Sequence, residues 1–234
     1  MRSDTDLLNT PTYVRLRERL RTDIVSGVWP LGQHVTLSEL SAYYGVSANP
    51  VREALLQLQG DGIVEMRVHR GAIIPLPDYR YVSDVYDLNG AIQAMLASAA
   101  AIRATPADLA RIDAAALEYE RVATAGEPAV AVMSNREFHR TINQVAGNAP
   151  AVEVMEGRSS LVDAVRAAIG YGAGRIDQVI AQHRAIVNAI HSGDPEAAAS
   201  ASRAHTESSK ADLLASMRRR DEALKVEAAR AAGN

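Results

Sequence analysis

Between Thr36 and Gly62 the chain reads TLSELSAYYGVSANPVREALLQLQGDG, two helix-start signals on either side of a glycine. Thr36 and Glu39 form a capping box, in which hydroxyl and carboxylate satisfy backbone donors at a helix start, and this predicts a first helix over Leu37 to Tyr44 ended by Gly45. Ser47 can cap the next helix, where Pro50 falls in the first turn and its missing N–H is harmless. Val51, Leu55 and Leu58 recur behind it at helical spacing, with Ala54 beside them, so that face packs inward. Two short helices joined by a tight turn make a helix-turn-helix, whose second helix lays its N-terminal residues in the major groove of DNA. On that reading Ser47, Ala48, Asn49 and Arg52 face DNA: Ser47 and Asn49 bond phosphates or base edges, and Arg52 offers its guanidinium fork to guanine or phosphate. The bland alternative is a helical hairpin in any all-α core.

The flanking sequence extends the motif into a domain. Pro11 opens an earlier helix whose apolar positions Val14, Leu16, Leu20, Ile24 and Val25 run toward Gly27, and Arg15, Arg17, Arg19 and Arg21 on it read as a solvated face. Met1 to Asn9 is polar, lacks periodicity and reads as a mobile tail. After Gly60 and Gly62, IVEMRV and AIIP flank HRG as a hairpin, the wing of a winged helix, with Arg70 and Gly71 at a tip near the minor groove or backbone. Pro75 and Pro77 make a short stiff linker.

Charge and composition narrow the remainder. Residues 1 to 76 hold eight Arg and eight acids, so the DNA-binding reading lacks a strong basic footprint and is better served by two copies acting together on a pseudo-palindromic double-stranded operator. The 234 residues contain no cysteine, which excludes disulfides and thiol chemistry. With no signal peptide and no apolar run of membrane-spanning length, the expectation is a cytoplasmic protein without a membrane partner.

From Asp78 onward no strand pattern appears. Val82, Val85, Ile92, Met95 and Leu96 give one helical face, Thr105 to Asp108 caps a second helix, and Glu127-Pro128 opens a third carrying Val132, Phe138, His139 and Ile142. A fourth helix follows Pro150, a fifth holds Ile176, Val179, Ile180, Ile186 and Ile190, and Asp194-Pro195 caps the last. The expected fold is mainly α: an N-terminal winged helix-turn-helix of three helices and a β-hairpin wing over residues 1–76, then an all-α antiparallel helical bundle over 77–234.

Histidines recur in that bundle. Asn135 and His139 are four apart on one helical face, while His183 and His205 lie on helices joined by the short HSGDP turn. Converging imidazoles with one oxygen ligand are how a bundle holds a divalent transition metal; scattered histidines are also commonly surface groups or singly satisfied core residues. His34, His69 and His191 fall in turns or loops without a partner at ligand spacing.

Two resemblances sharpen these readings. GVSANPVREAL, preceded by IVSGVWPLGQ and followed by GDGIVEMRVHRGA, resembles the N-terminal domain of the GntR family of bacterial transcription regulators over about Tyr13 to Pro75. That family usually opens its recognition helix Ser-Arg-Thr/Asn-Pro-Val-Arg-Glu-Ala-Leu; Ser47, Asn49 and Pro50 to Leu55 match, and Ala48 stands where the family's DNA-contacting Arg is usual. NxxFH, then QHRAIVNAIHSGDPEAAASASRAH, resembles the FCD effector domain of one branch of the family. The resemblance implies that His139, His183 and His205 hold zinc, nickel or a similar ion beside an organic acid, with Asn135 where Asp is usual. It also places Asn89 where an Arg commonly faces the acid, leaving Arg140 or Arg184 as candidate holders of a carboxylate effector, or equally as solvent-facing residues.

The function this implies is a homodimeric, ligand-responsive transcription regulator. The alternative is a metal-dependent hydrolase that uses the three histidines to activate water. It lacks a convincing general base, because Glu137 lies off the face of Asn135.

Overall fold

The structure, a computed structural model, describes residues 11–67 and 70–232. The expected tail at Met1 to Asn9, and His69 in the wing tip, lie outside the described residues. Helix α1 spans Thr12–Val25, strand β1 His34–Val35, α2 Leu37–Tyr44 and α3 Ala48–Gly60, followed by β2 Glu65–Arg67 and β3 Gly71–Ile73. The Thr36–Glu39 capping box forms in both directions, and Gly45 ends α2 in the left-handed region at φ 65°.

The wing is wider than a hairpin. β2 and β3 pair antiparallel with Glu65 opposite Ile73 and Arg67 opposite Gly71, and β1 joins on the other side of β3 with His34 opposite Ile73. His34, expected in a turn, therefore sits in a strand. Two residues are too few for an alternating pattern to announce. Gly71 begins β3 at φ 92°, where a Cβ would strike the Val35 carbonyl oxygen and come within 2.9 Å of the Thr36 Cα. Only glycine lets the two backbones approach this closely. Gly71→Ala is expected to lower stability by about 3 kcal/mol or more, adding strained backbone to a clash with main chain; an unchanged urea midpoint would contradict it.

The core of this half is Leu16, Leu20, Ile24, Leu40, Val51, Leu55, Leu58, Ile63 and Ile74, and the same cluster takes in Leu161 and Ala164 from the bundle. The arginines of α1 do not all form a solvated face. Arg17 and Arg21 both donate to Asp61 Oδ2 at 2.7 Å, and Arg21 is buried. They tie α1 to the end of α3, because a buried guanidinium requires a bonded anion. Trp29 Nε1 donates to Tyr44 Oη (2.8 Å), which donates to the buried Asp23 (2.7 Å) and pins α2 against α1.

Residues 74–78 carry no regular structure and lead into six helices: α4 Tyr79–Arg103, α5 Pro106–Ala123, α6 Pro128–Ala146, α7 Ala149–Ile169, α8 Arg175–His191 and α9 Pro195–Ala232. Each expected start is present, capped by Asp78, Thr105 and Asn148 or opened by Pro128, with Asp194 accepting from the backbone of Glu196 and Ala197. Short connections force sequential helices to run antiparallel. The long α4 and α9 pack along one another, close enough at Gly90 that a Cβ would lie 3.3 Å from Thr206 Cγ2. Leu96, Ile112, Phe138, Ile142, Ile186 and Ile190 fill the centre. Among the described residues no helix is long and apolar enough to cross a membrane.

Candidate functional site

The recognition helix offers a small polar surface. Ser47 precedes α3 in an extended conformation and its hydroxyl makes no cap bond, so it is open to a phosphate oxygen. Ala48, Asn49, Arg52 and Glu53 are exposed while Val51, Ala54 and Leu55 are buried, the division expected when one helical face meets DNA. Asn49 Nδ2 donates to Glu53 Oε1 at 3.1 Å. Arg52 has no partner among the described residues. Arg70 is exposed at the wing turn, its N–H bonded to the Arg67 carbonyl at 3.0 Å. Gly71 lies in the strand, with the packing role given above.

In the bundle, His139 on α6, His183 on α8 and His205 on α9 converge, one ring nitrogen from each lying within 4.8 Å of the others. His139 Nε2 and His205 Nε2 are 3.3 Å apart, about the edge of a tetrahedral site with metal–nitrogen distances near 2.05 Å. His205 Nδ1 faces Gln182 Oε1 at 3.1 Å, and in the tautomer that donates from Nδ1 to this oxygen the Nε2 lone pair is turned inward. His183 is 1% exposed, stacked on Phe138 at 4.0 Å and packed on Tyr119 at 4.6 Å, and neither ring nitrogen has a partner among the described residues. An unsatisfied buried polar group costs about 1–3 kcal/mol, a large share of a typical stability of about 5–15 kcal/mol. A group kept in that condition points to a missing bond. Burial lowers the affinity of all three rings for protons, His139 to a pKa of about 4, so at neutral pH they present lone pairs. The donor set fits a divalent transition metal.

A cavity of about 100 Å³ opens beside this cluster. Asn135, one turn before His139, lines it, as do Asn89 and Arg140. Asn89 is buried, donates from Nδ2 to Ser159 Oγ at 3.0 Å, and leaves its Oδ1 without a partner among the described residues. Arg140 lies 3.4 Å from Glu137 and 3.6 Å from Glu156. Arg184 is not brought there: it is exposed on the outside of α8, where it grips both oxygens of Glu120 at 2.6 Å. His191, expected in a turn or loop, instead ends α8, with Nε2 2.9 Å from Asp113 Oδ1.

Sequence reasoning missed several lining residues. Arg136 and Asn143 share the face of Asn135 and His139 at helical spacing, a signal available in the sequence. Glu156, Ser159 and Asp163 come from α7, whose register against α6 only the fold fixes. Asp163 is 3.7 Å from Arg136, and burial raises its pKa to about 6 against that cation's pull. A carboxyl raised in the folded state contributes stability that is present at low pH and lost as pH rises through about 6. Asp163→Asn is therefore expected to melt higher than wild type at about pH 7.5, with the gain shrinking toward about pH 4.5; equal melting curves at both would contradict it.

A winged helix-turn-helix joined to a six-helix bundle with a buried histidine cluster is the build of a bacterial DNA-binding transcription regulator. The chain belongs to the GntR family, in the branch that carries an FCD domain: residues 12–74 match the model described as bacterial regulatory proteins, gntR family, and residues 84–208 the FCD domain. It is 29% identical over 197 residues to an uncharacterized HTH-type transcriptional regulator of Mycobacterium tuberculosis, covering 84% of this chain and 79% of that one. Identity to the HTH-type transcriptional repressor RspR of Escherichia coli is 25% over 188 residues, covering 80% and 82%. The fold matches the solved structure of E. coli McbR/YncC with a TM-score of 0.81 at 17% identity, over 89% of this chain and 99% of that one. The family and the two sequence relatives are transcription regulators, and the hydrolase alternative falls on that ground.

Proposed function

We propose that this regulator is a homodimer whose residues 1–76 read a pseudo-palindromic operator and whose residues 77–234 dimerise and sense a small carboxylate metabolite in the cytoplasm. Ser47, Asn49, Arg52 and Arg70 are its DNA contacts. His139, His183 and His205 hold a divalent ion, zinc or nickel, with Asn135 as the candidate fourth ligand. When bound, the ion supplies positive charge for an effector carboxylate. Gln182 holds the His205 ring in the ligating tautomer, and Asn89 and Arg140, with Arg136 beside them, orient the rest of the effector.

The carrying observation is His183, buried with two orphaned nitrogens inside a three-histidine cluster. The route from cavity to DNA runs through α7, which lines the cavity with Glu156, Ser159 and Asp163 and packs Leu161 and Ala164 into the core of the winged helix. A thermal-shift screen of organic acids, with zinc, nickel or chelator present, tests the proposal. Any native-state ligand at 100 to 1,000 times its Kd stabilises by about 2.7–4.1 kcal/mol. The expected result is a metal-dependent rise in Tm with at least one acid; no rise with any metal or acid would refute it.

A further inference from the structure

We infer that the effector is a polyhydroxylated monocarboxylic acid, of the chemical class of the sugar acids, whose hydroxyl groups are read by the carboxamides lining the cavity beside the histidine cluster. Asn89 carries the argument. It is 8% exposed and lines the cavity, with Nδ2 3.0 Å from Ser159 Oγ and no partner for Oδ1 among the described residues. Turning the amide round does not relieve this. Ser159 directs its single hydroxyl proton to the Met155 carbonyl at 2.8 Å, so toward Asn89 it can only accept, and Asn89 must present nitrogen to it. The free end is therefore an acceptor. A carboxylate only accepts and a hydrocarbon does neither, so the ligand group that satisfies this oxygen carries an O–H or an N–H.

The rest of the lining chooses between those two donors. Gln93, one turn further along α4, accepts from Thr206 Oγ1 at 3.2 Å and leaves Nε2 without a partner among the described residues. Buried Asn143, on α6, has no side-chain partner among them for either amide atom. Free acceptors and free donors thus stand together on two helices that pack against one another. A hydroxyl, both donor and acceptor, answers that pattern, whereas an ammonium only donates. Charge agrees. Among the described residues the arginines of the lining are Arg136, 3.7 Å from Asp163, and Arg140, 3.6 Å from Glu156, so each cation is matched by an acid of the same cavity. That leaves no unmatched acid for an ammonium and no unmatched arginine for a second carboxylate. The ion is then the one centre for a carboxylate, and the amides face the rest of the molecule.

This inference rests on the metal-and-carboxylate reading proposed above, and the test separates the two. Zinc-loaded full-length protein is titrated, by thermal shift and by calorimetry, with the stereoisomeric six-carbon aldonates and uronates, and with three six-carbon acids that lack hydroxyls: hexanoate, adipate and norleucine. At least one hydroxy acid is expected to raise Tm and to bind about a hundredfold or more tighter than hexanoate, because a site built to bond hydroxyls is left with unpaired polar groups around an analogue without them. Asn89→Leu, close in volume and without polar atoms, should weaken that acid by about tenfold or more while the zinc content of the protein is unchanged. Gln93→Met, at a half-buried position, gives a second reading of the same loss. Hexanoate, adipate or norleucine binding as tightly as any hydroxy acid would overturn the hydroxyl assignment and leave the metal-and-carboxylate reading standing. Equal binding of the hydroxy acid by wild type, Asn89→Leu and Gln93→Met would do the same. No rise in Tm with any of these acids, zinc being present, would overturn both.

Discussion

Arg52→Ala is expected to abolish operator recognition while leaving the fold intact. The side chain leaves the second turn of α3 on the exposed face and makes no bond among the described residues, so its removal is expected to cost the folded state almost nothing. On DNA the guanidinium can bond guanine in two places, a contact worth about 1–3 kcal/mol, or roughly five- to 150-fold in affinity at each half-site. Mobility-shift titrations at one fixed salt concentration read the loss directly, since phosphate contacts vary steeply with salt. Unchanged affinity would show that α3 does not enter the groove by this face.

His183→Ala is expected to remove most bound metal and with it the metal-dependent rise in Tm, about 3–4 kcal/mol at saturating ion. His139→Ala and His205→Ala should do the same, and combining any two should add little, because three ligands of one ion form a single unit. Replacing His183 also opens space against Phe138 and Tyr119, so some stability is lost even under chelator. Comparing each variant with and without metal separates the two effects. A His183→Ala protein that retains full metal content would end the shared-site model, leaving the cluster a buried contact among neutral rings.

How far the sequence could be read follows from which interactions are local. The capping boxes at Thr36 and Thr105, the glycine stop at Gly45 and the proline openings at Pro128 and Pro195 act within one turn, and each was legible. His139, His183 and His205 could be placed on three helices by period, and a resemblance argued that they meet; the fold brings them to within 4.8 Å. Illegible were matters of register between distant segments. β1 exists only because β3 offers it an edge, and Arg21 is buried only because Asp61 lies across from it. Arg184 stands next to His183 in sequence, but adjacent residues on a helix point about 100° apart, which sends Arg184 outward to Glu120. Asp163 escapes any reading confined to α6, because it enters the cavity from α7, whose register against α6 only the fold fixes.

On the proposed function, the bundle's cavity and the recognition helix are two sites of one switch. Coupling between sites is reciprocal and typically amounts to about 1–3 kcal/mol. The direct measurement is operator affinity at fixed salt, titrated with metal-loaded protein in the absence and presence of a saturating acid identified by thermal shift. The acid is expected to change operator Kd by about five- to 150-fold, and the change to disappear in His183→Ala. Superimposable titrations with and without the acid, from protein that binds both acid and DNA, would contradict it.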